Sequence, residues 1–100
     1  HRFKKFIKDI VTGTIERNDL ILDELNTKLG DDFVFENLDK VFQTILKAAT
    51  YEFMYKPQLS LNIIIKEYLN SSNFFLENSQ TKYLNALLDN VGKKLRSKNA

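Results

Sequence analysis

The chain has 100 residues, of which 43% are hydrophobic and 28% are charged, enough for one domain that buries roughly two thirds of its unfolded surface. It has no cysteine and one histidine, His1, which excludes disulfide frameworks and thiolate metal sites and agrees with a cytoplasmic protein. No apolar run reaches the ~18 residues of a membrane span, so we expect no membrane partner.

The net charge of +2 conceals a strong separation of charge along the sequence. Residues 9–39 contain nine acids and two bases, a net charge of −7, whereas the rest of the chain has a net charge of +9. Such a separation can produce a basic face that meets phosphate and an acidic face that meets a basic protein. The alternative is that both are ordinary solvated helix faces.

The first predicted element is one long helix from Phe3 to about Leu29. Its apolar residues recur at the spacing of a buried helix face: Phe3, Phe6, Ile7, Ile10, Val11, Ile15, Ile21, Leu22, Leu25 and Leu29. Gly30 supplies a helix stop, and Asp31 begins a turn.

Two further helices are predicted in the middle of the chain. Asp39 is expected to cap the first of them, which ends before Pro57 because proline disfavours helical geometry in the residue before it. Ser60 is expected to cap the second, which reads "SLNIIIKEYL". The run of isoleucines would also suit a strand, but no partner strand is visible, so we favour a helix.

The last predicted helix follows the polar connection "NSSNFFLENS". We expect Ser79 to cap it and the helix to end near Leu95, with a buried stripe of leucines from Leu84 onward and Asn85 beside that stripe. The sequence therefore predicts an all-α bundle of four main helices in one domain, residues 1–100.

We expect no catalytic residue, no metal and no cofactor. A general base or nucleophile needs a partner of suitable pKa, and the only imidazole is that of the terminal His1. The four carboxylates of Glu16, Asp19, Asp23 and Glu24 lie close together on a predicted helix, but without histidine they are typical of a solvated face.

Three segments follow one another in an order and spacing that can be compared with known families: "ILKAATYEF" (45–53), "IIIKEYL" (63–69) and "YLNALLD" (83–89). They resemble patterns that read ILRLAxYEL, VAINEAVEL and FVNGVLD in the NusB family of bacterial transcription antitermination factors. The segment "FIKDIVTGTIERNDLI" (6–21) is similar to a further family helix, with Gly13 on the family's glycine. The resemblance implies a helical bundle of the NusB type.

Two departures from the family pattern have physical consequences. Ala86 stands where the family has a glycine, and its methyl group would obstruct the close approach of a neighbouring helix. Family members usually begin with one or two more helices, the first rich in arginine and implicated in RNA binding, and nothing before His1 supplies them. We therefore expect the domain to be incomplete at its N-terminus, which could expose apolar surface, so a homodimer is a possible state.

The resemblance implies a non-catalytic function in transcription. A NusB-like factor would pair with a small-subunit ribosomal protein, bind the boxA element of ribosomal RNA and act in the transcription elongation complex. The acidic segment at residues 9–39 is compatible with a basic protein partner.

The expected RNA-binding residues are Phe75, Ser79, Lys82 and Tyr83. Single-stranded RNA stacks its bases on aromatic rings while lysine and arginine meet its phosphates, and Lys82 beside Tyr83 offers both functions. The alternative is that these aromatic rings close the core under a loop. The family resemblance favours the RNA surface. It also matches Asn85 to a family asparagine that could reach a partner, although we favour a structural cap or an interhelical hydrogen bond.

Two other functions fit the same residues. The chain could be the NusB-like RNA-binding domain that rRNA cytosine methyltransferases carry at their N-terminus, in which case a Rossmann-like domain with a glycine-rich cofactor loop would follow Ala100. It could also be a helical protein-interaction module without affinity for RNA, whose binding would show no salt-dependent nucleic-acid component.

Overall fold

The computed structural model of the chain describes residues 2–96, with side chains described for residues 7–96. Its elements are α1 (Arg2–Glu16), α2 (Asn18–Leu29), a 3-10 turn (Phe35–Asn37), α3 (Lys40–Tyr55), α4 (Leu61–Ser72) and α5 (Asn78–Leu95). No strand occurs within residues 2–96. The prediction of an all-α bundle is therefore confirmed, with five helices in place of four.

The predicted long first helix is divided at Arg17. This residue leaves helical geometry at φ −111° and ψ 20°, although its N–H still donates to the Gly13 carbonyl at 3.0 Å. The break lets α1 cross the C-terminal half of α3, where the Arg17 guanidinium stacks 4.6 Å from the centre of the Tyr55 ring. Helix α2 can then turn to pack against both α3 and α5.

The caps of α3 and α4 are those that the sequence predicts. The Asp39 carboxylate accepts the N–H of Val41 at 2.9 Å, and the Ser60 hydroxyl accepts the N–H of Ile63 at 3.2 Å. Gly30 ends α2 with a φ of 82°, in the region that side chains rarely enter.

The predicted Ser79 cap is wrong by two residues. Helix α5 begins at Asn78 with Glu77 as its N-cap, and the Gln80 side chain accepts the Glu77 N–H at 2.9 Å. The glutamine side chain reaches back over the first turn and satisfies this N–H, so Ser79 lies inside the helix with its side chain exposed.

The core forms around α3, which contacts α1, α2, α4 and α5. Its fully buried members come from four helices: Ile21, Leu25, Leu46, Ala49, Ile64, Leu84, Leu88 and Val91. The relative orientation of α3 and α5 is parallel, because Phe42 contacts Tyr83 near their N-termini and Phe53 lies beside Arg96 near their C-termini. The N-termini of both helices therefore lie at the same end of the bundle.

The predicted buried face of α1 is only partly buried. Ile10 is 9% exposed, but Ile7, Val11 and Ile15 are 45%, 51% and 71% exposed. Helix α1 contacts α3 and α2 through the side that carries Ile10 and Gly13, so the remainder of its apolar face stays open to solvent. The side chains of Phe3 and Phe6, assigned to the same face, lie outside the described part of the chain.

The C-terminus of α3 is held by Arg96 from the end of α5. Its guanidinium donates to the carbonyls of Lys56 at 2.9 Å and Leu59, and its Nε donates to the Phe53 carbonyl at 3.1 Å. Carbonyls at the end of a helix lack intrahelical partners, and a cation there also complements the helix dipole. None of the described helices is long and apolar enough to cross a membrane.

Candidate nucleic-acid interface

The predicted RNA-binding residues lie at the beginning of α5 and in the connection before it. Ser79, Lys82 and Tyr83 occupy positions i, i+3 and i+4 of the first turns, so they share one face of the helix. Phe74 and Phe75 lie in the connection that follows α4, where the Phe75 N–H donates to the Ser72 carbonyl at 3.1 Å. We call Phe74, Phe75, Ser79, Lys82 and Tyr83 the aromatic corner.

The side chains of the aromatic corner are exposed. Phe74 is 92% exposed, Phe75 60% and Tyr83 48%, and both Ser79 and Lys82 are exposed as well. The neighbouring core position, Leu84, is completely buried. The alternative in which these rings close the core under a loop is therefore wrong, and their faces are accessible to a ligand.

One side of the Tyr83 ring packs against the core. Its centre lies 5.5 Å from that of Phe42, and the two rings are tilted by 56°. Phe42 is 8% exposed and belongs to the core, so one side of Tyr83 packs on α3 while the rest of the ring faces solvent. Tilted aromatic pairs of this kind are worth about 0.5–1.5 kcal/mol beyond burial, which favours this position of the ring.

Sequence reasoning missed the contribution of α3 to this end of the bundle. Because α3 and α5 run parallel, exposed Lys40 and Val41 at the start of α3 lie at the same end as the aromatic corner. Lys40 adds a second positive charge to that of Lys82, whereas the N-termini of both helices are already capped by acidic residues, Asp39 at α3 and Glu77 at α5. The Glu77 carboxylate is the acid closest in sequence to this face, and it would repel an anion bound beside it.

Asn85 does not have the structural role that we favoured from the sequence, and Ala86 does not have the expected steric effect. Both are exposed on α5, so Asn85 is not an amide between helices, and the Ala86 methyl group obstructs no neighbour. The close approaches between helices occur instead at two buried glycines. A Cβ at Gly13 would overlap the Tyr51 ring, and one at Gly92 would overlap the Leu61 side chain.

A polar cluster joins α1 to the opposite end of α3. The Lys56 ammonium lies 2.7 Å from Asp9 Oδ2, and the Tyr51 hydroxyl donates to Asp9 Oδ1 at 3.2 Å. The hydrogen bond with Lys56 lowers the pKa of Asp9 and raises that of Lys56, while burial raises the pKa of Tyr51. The polar groups of Asp9, Tyr51 and Lys56 pair with one another within the protein, so we assign the cluster a structural role.

Glu52 is a buried carboxyl group on the side of α3 that faces α4. It is 2% exposed, and its Oε2 atom has no hydrogen-bond partner. Burial raises the pKa of Glu52, an effect that the nearby Tyr68 hydroxyl partly offsets, and burial also raises the pKa of Tyr68. The neighbour of the Glu52 side chain, Tyr68, belongs to α4, so this carboxyl group lies between two helices.

The aromatic corner offers rings for stacking and the positive charge of lysine. Within the described side chains, no group of three or more histidine, aspartate or glutamate residues is placed to hold a metal ion. A surface of accessible rings beside lysine is suited to binding a single-stranded nucleic acid.

Comparisons with known proteins identify the family of the chain. The model of the NusB family matches residues 1–93. Among curated relatives, a transcription antitermination protein NusB of Sphingopyxis alaskensis is 31% identical over 93 residues, which are 93% of this chain and 62% of that protein. Proteins of the same name from Novosphingobium aromaticivorans and Mesorhizobium japonicum are 33% and 30% identical, covering 91% and 92% of this chain and 62% and 59% of theirs.

The chain thus spans about three fifths of the length of the curated relatives that it matches. No solved structure matches it significantly. Since the family model covers nearly the whole sequence and the described fold is the all-α bundle that the motifs implied, the chain belongs to the NusB family.

Proposed function

We propose that this chain is the RNA-binding part of a non-catalytic transcription antitermination factor, active in the cytoplasm. Its ligand would be boxA-type RNA from a ribosomal RNA leader, bound together with a small-subunit ribosomal protein within the transcription elongation complex. Membership of the NusB family and the names of the relatives support this function.

The single observation that carries the proposal is the exposure of the Tyr83 ring, with Lys82 exposed in the position before it. An unpaired base stacked on an aromatic ring is worth about 1–3 kcal/mol, and such a ring must present an open face. Tyr83 does so at 48% exposure while Phe42 fixes its position. Lys82, in the preceding position, is then placed to meet the phosphate of the stacked nucleotide.

The acidic part of the chain supports a protein partner of basic character. Residues 9–39 carry a net charge of −7, and most of their carboxylates are exposed on α2 and in the connection after it. The aromatic corner lies on α5 and the connection before it, so RNA and a basic protein would bind different segments.

A fluorescence anisotropy titration with labelled boxA-type RNA tests the proposal. We expect the parent chain to bind, with higher affinity when the ribosomal protein is present, and to prefer this RNA over a scrambled sequence. Tyr83→Ala should weaken binding about 5- to 100-fold through lost stacking, and Lys82→Ala should weaken it less and reduce its salt dependence.

Lys66→Ala is the matched control, because Lys66 is also an exposed helical lysine but lies on α4. Its affinity for RNA should be close to that of the parent. If Tyr83→Ala and Lys82→Ala bind as the parent does, or if scrambled RNA binds equally well, the site and the RNA specificity are wrong.

A further inference from the structure

Phe74 is the most exposed of the large apolar residues whose side chains the structure describes. It is 92% exposed and lies in the connection between α4 and α5. Burial of a phenylalanine ring stabilises a protein, and the fold gains almost nothing of this kind from Phe74. The ring therefore has no part in the core, and both of its faces are open to a ligand.

The backbone of this connection is fixed by hydrogen bonds on the C-terminal side of Phe74. The N–H groups of Phe75 and Leu76 both donate to the Ser72 carbonyl at 3.1 Å, and Ser72 is itself buried. The Leu76 side chain packs against the core. Phe74 thus lies at the tip of a hydrogen-bonded turn, and a movement of its ring into the core would break these contacts.

The surface around Phe74 is polar but carries no charge. Residues 68–76 contain no charged residue, and Phe75 is the only other exposed apolar residue among them. Their exposed polar members are Asn70, Ser71 and Asn73. A stable protein interface needs a larger apolar centre than two neighbouring rings provide. An unpaired base needs one open ring and neighbouring amide or hydroxyl groups for its edge.

We propose that Phe74 is a second stacking site for single-stranded RNA, so that the transcript is held at two bases, one on Phe74 and one on Tyr83. The inference rests on the proposed function, in which Tyr83 and Lys82 bind the first base and its phosphate. Tyr83 lies six residues after the N-cap of α5, about 9 Å along the helix axis. Phe74 lies three residues before that cap, so the two Cα atoms are at most about 20 Å apart, a distance that a few nucleotides span.

The chain contains no tryptophan, so Phe74→Trp introduces a single fluorescent reporter at this position. Tryptophan retains a ring for stacking, and a base that stacks on it quenches its emission. We expect boxA-type RNA to bind this variant at least as tightly as the parent and to quench its emission with the dissociation constant that anisotropy gives. Ile63→Trp is the control, because Ile63 is 51% exposed but lies on α4, and its emission should not change.

Removal of the ring tests the same site without a reporter. Phe74→Leu keeps an apolar side chain but cannot stack, so it should weaken the binding of boxA-type RNA at least about fivefold, whereas Phe74→Tyr should bind as the parent does. Because two bases stack at separate sites, the fold losses of Phe74→Leu and Tyr83→Ala should multiply in the double variant. Circular dichroism of each variant establishes that it is folded.

The outcomes separate this inference from the proposed function. If Tyr83→Ala weakens RNA binding but Phe74→Leu does not, or if RNA leaves the emission of Phe74→Trp unchanged, the second stacking site is wrong and the proposed function stands. A double variant no weaker than Tyr83→Ala would also overturn it, because both rings would then hold one base.

Two further results would overturn the second stacking site. Phe74→Leu that binds RNA normally but loses affinity for the ribosomal protein would assign the ring to a protein contact. A parent chain that does not bind boxA-type RNA would overturn the proposed function and this inference together.

Discussion

At the residue scale, Glu52 is a buried carboxyl group whose hydrogen bonds are incomplete. A carboxylate that is 2% exposed and lacks a partner for one oxygen loses its hydration without full compensation. Its raised pKa means that the folded state holds the proton more firmly than the unfolded state does. The stability linked to this proton is complete below the usual pKa of glutamate and is lost as pH rises through the raised value.

Glu52→Gln should therefore stabilise the protein near neutral pH, because glutamine has nearly the same shape as glutamate but carries no charge. We expect a gain on the order of 1 kcal/mol, or about 4–8 °C in Tm, which shrinks as the pH is lowered to about 4. Thermal unfolding at both pH values measures it, with Glu36→Gln as an exposed control. A glutamine variant that is equally destabilised at both pH values would contradict this account.

Arg96, in contrast, is a charged group whose N–H donors form hydrogen bonds with backbone carbonyls. Arg96→Ala removes charge-assisted hydrogen bonds to carbonyls at the end of α3 and should cost about 1.5–3 kcal/mol. Arg96→Lys should recover only part of this, because an ammonium lacks the planar fork of a guanidinium.

Urea denaturation of these variants measures the Arg96 contribution. Lys93→Ala serves as the control, because the Lys93 side chain is 70% exposed and its pair with Asp89 at 2.9 Å is a surface contact. A loss for Arg96→Ala no greater than that for Lys93→Ala would show that the cap contributes nothing measurable.

At the element scale, α3 and α4 begin at the caps that the sequence predicts, whereas α5 is capped by Glu77 and not by Ser79. Asp39, Ser60 and the corner at Pro57 mark helix boundaries that the structure reproduces, because caps and proline act through local geometry. The first 29 residues differ. Their apolar spacing is continuous, but the break at Arg17 and the open side of α1 depend on how α1 and α2 pack around α3, which no local signal contains.

The contact between α1 and α3 depends on Gly13. Gly13→Ala adds a Cβ that overlaps the buried Tyr51 ring, so we expect a loss of about 1–3 kcal/mol from overpacking despite the better helix propensity of alanine. Chemical denaturation measures the loss, and Thr12→Ala, at an exposed position of the same helix, should be nearly neutral.

A double-mutant cycle with Tyr51→Leu identifies the cause of that loss. Leucine is shorter than tyrosine, so Gly13→Ala should cost less in the Tyr51→Leu background. An equal cost in both backgrounds would show that the ring is not the obstacle.

At the scale of the whole molecule, the radius of gyration of 13.0 Å is that of a compact domain of this length. The aromatic corner remains exposed on it. The sequence could indicate Lys82 and Tyr83 through their residue types and the family resemblance. It could not indicate that Phe42 supports the Tyr83 ring, because that contact requires α3 and α5 to run parallel.

The most direct test of the proposed RNA site is an NMR titration of the labelled chain with boxA-type RNA. We expect the largest amide chemical-shift changes at residues 73–83 and at the start of α3, with the Tyr83 ring protons shifted by base stacking. Changes confined to α1 and α2, or spread evenly over the basic residues without any effect on the Tyr83 ring, would contradict it.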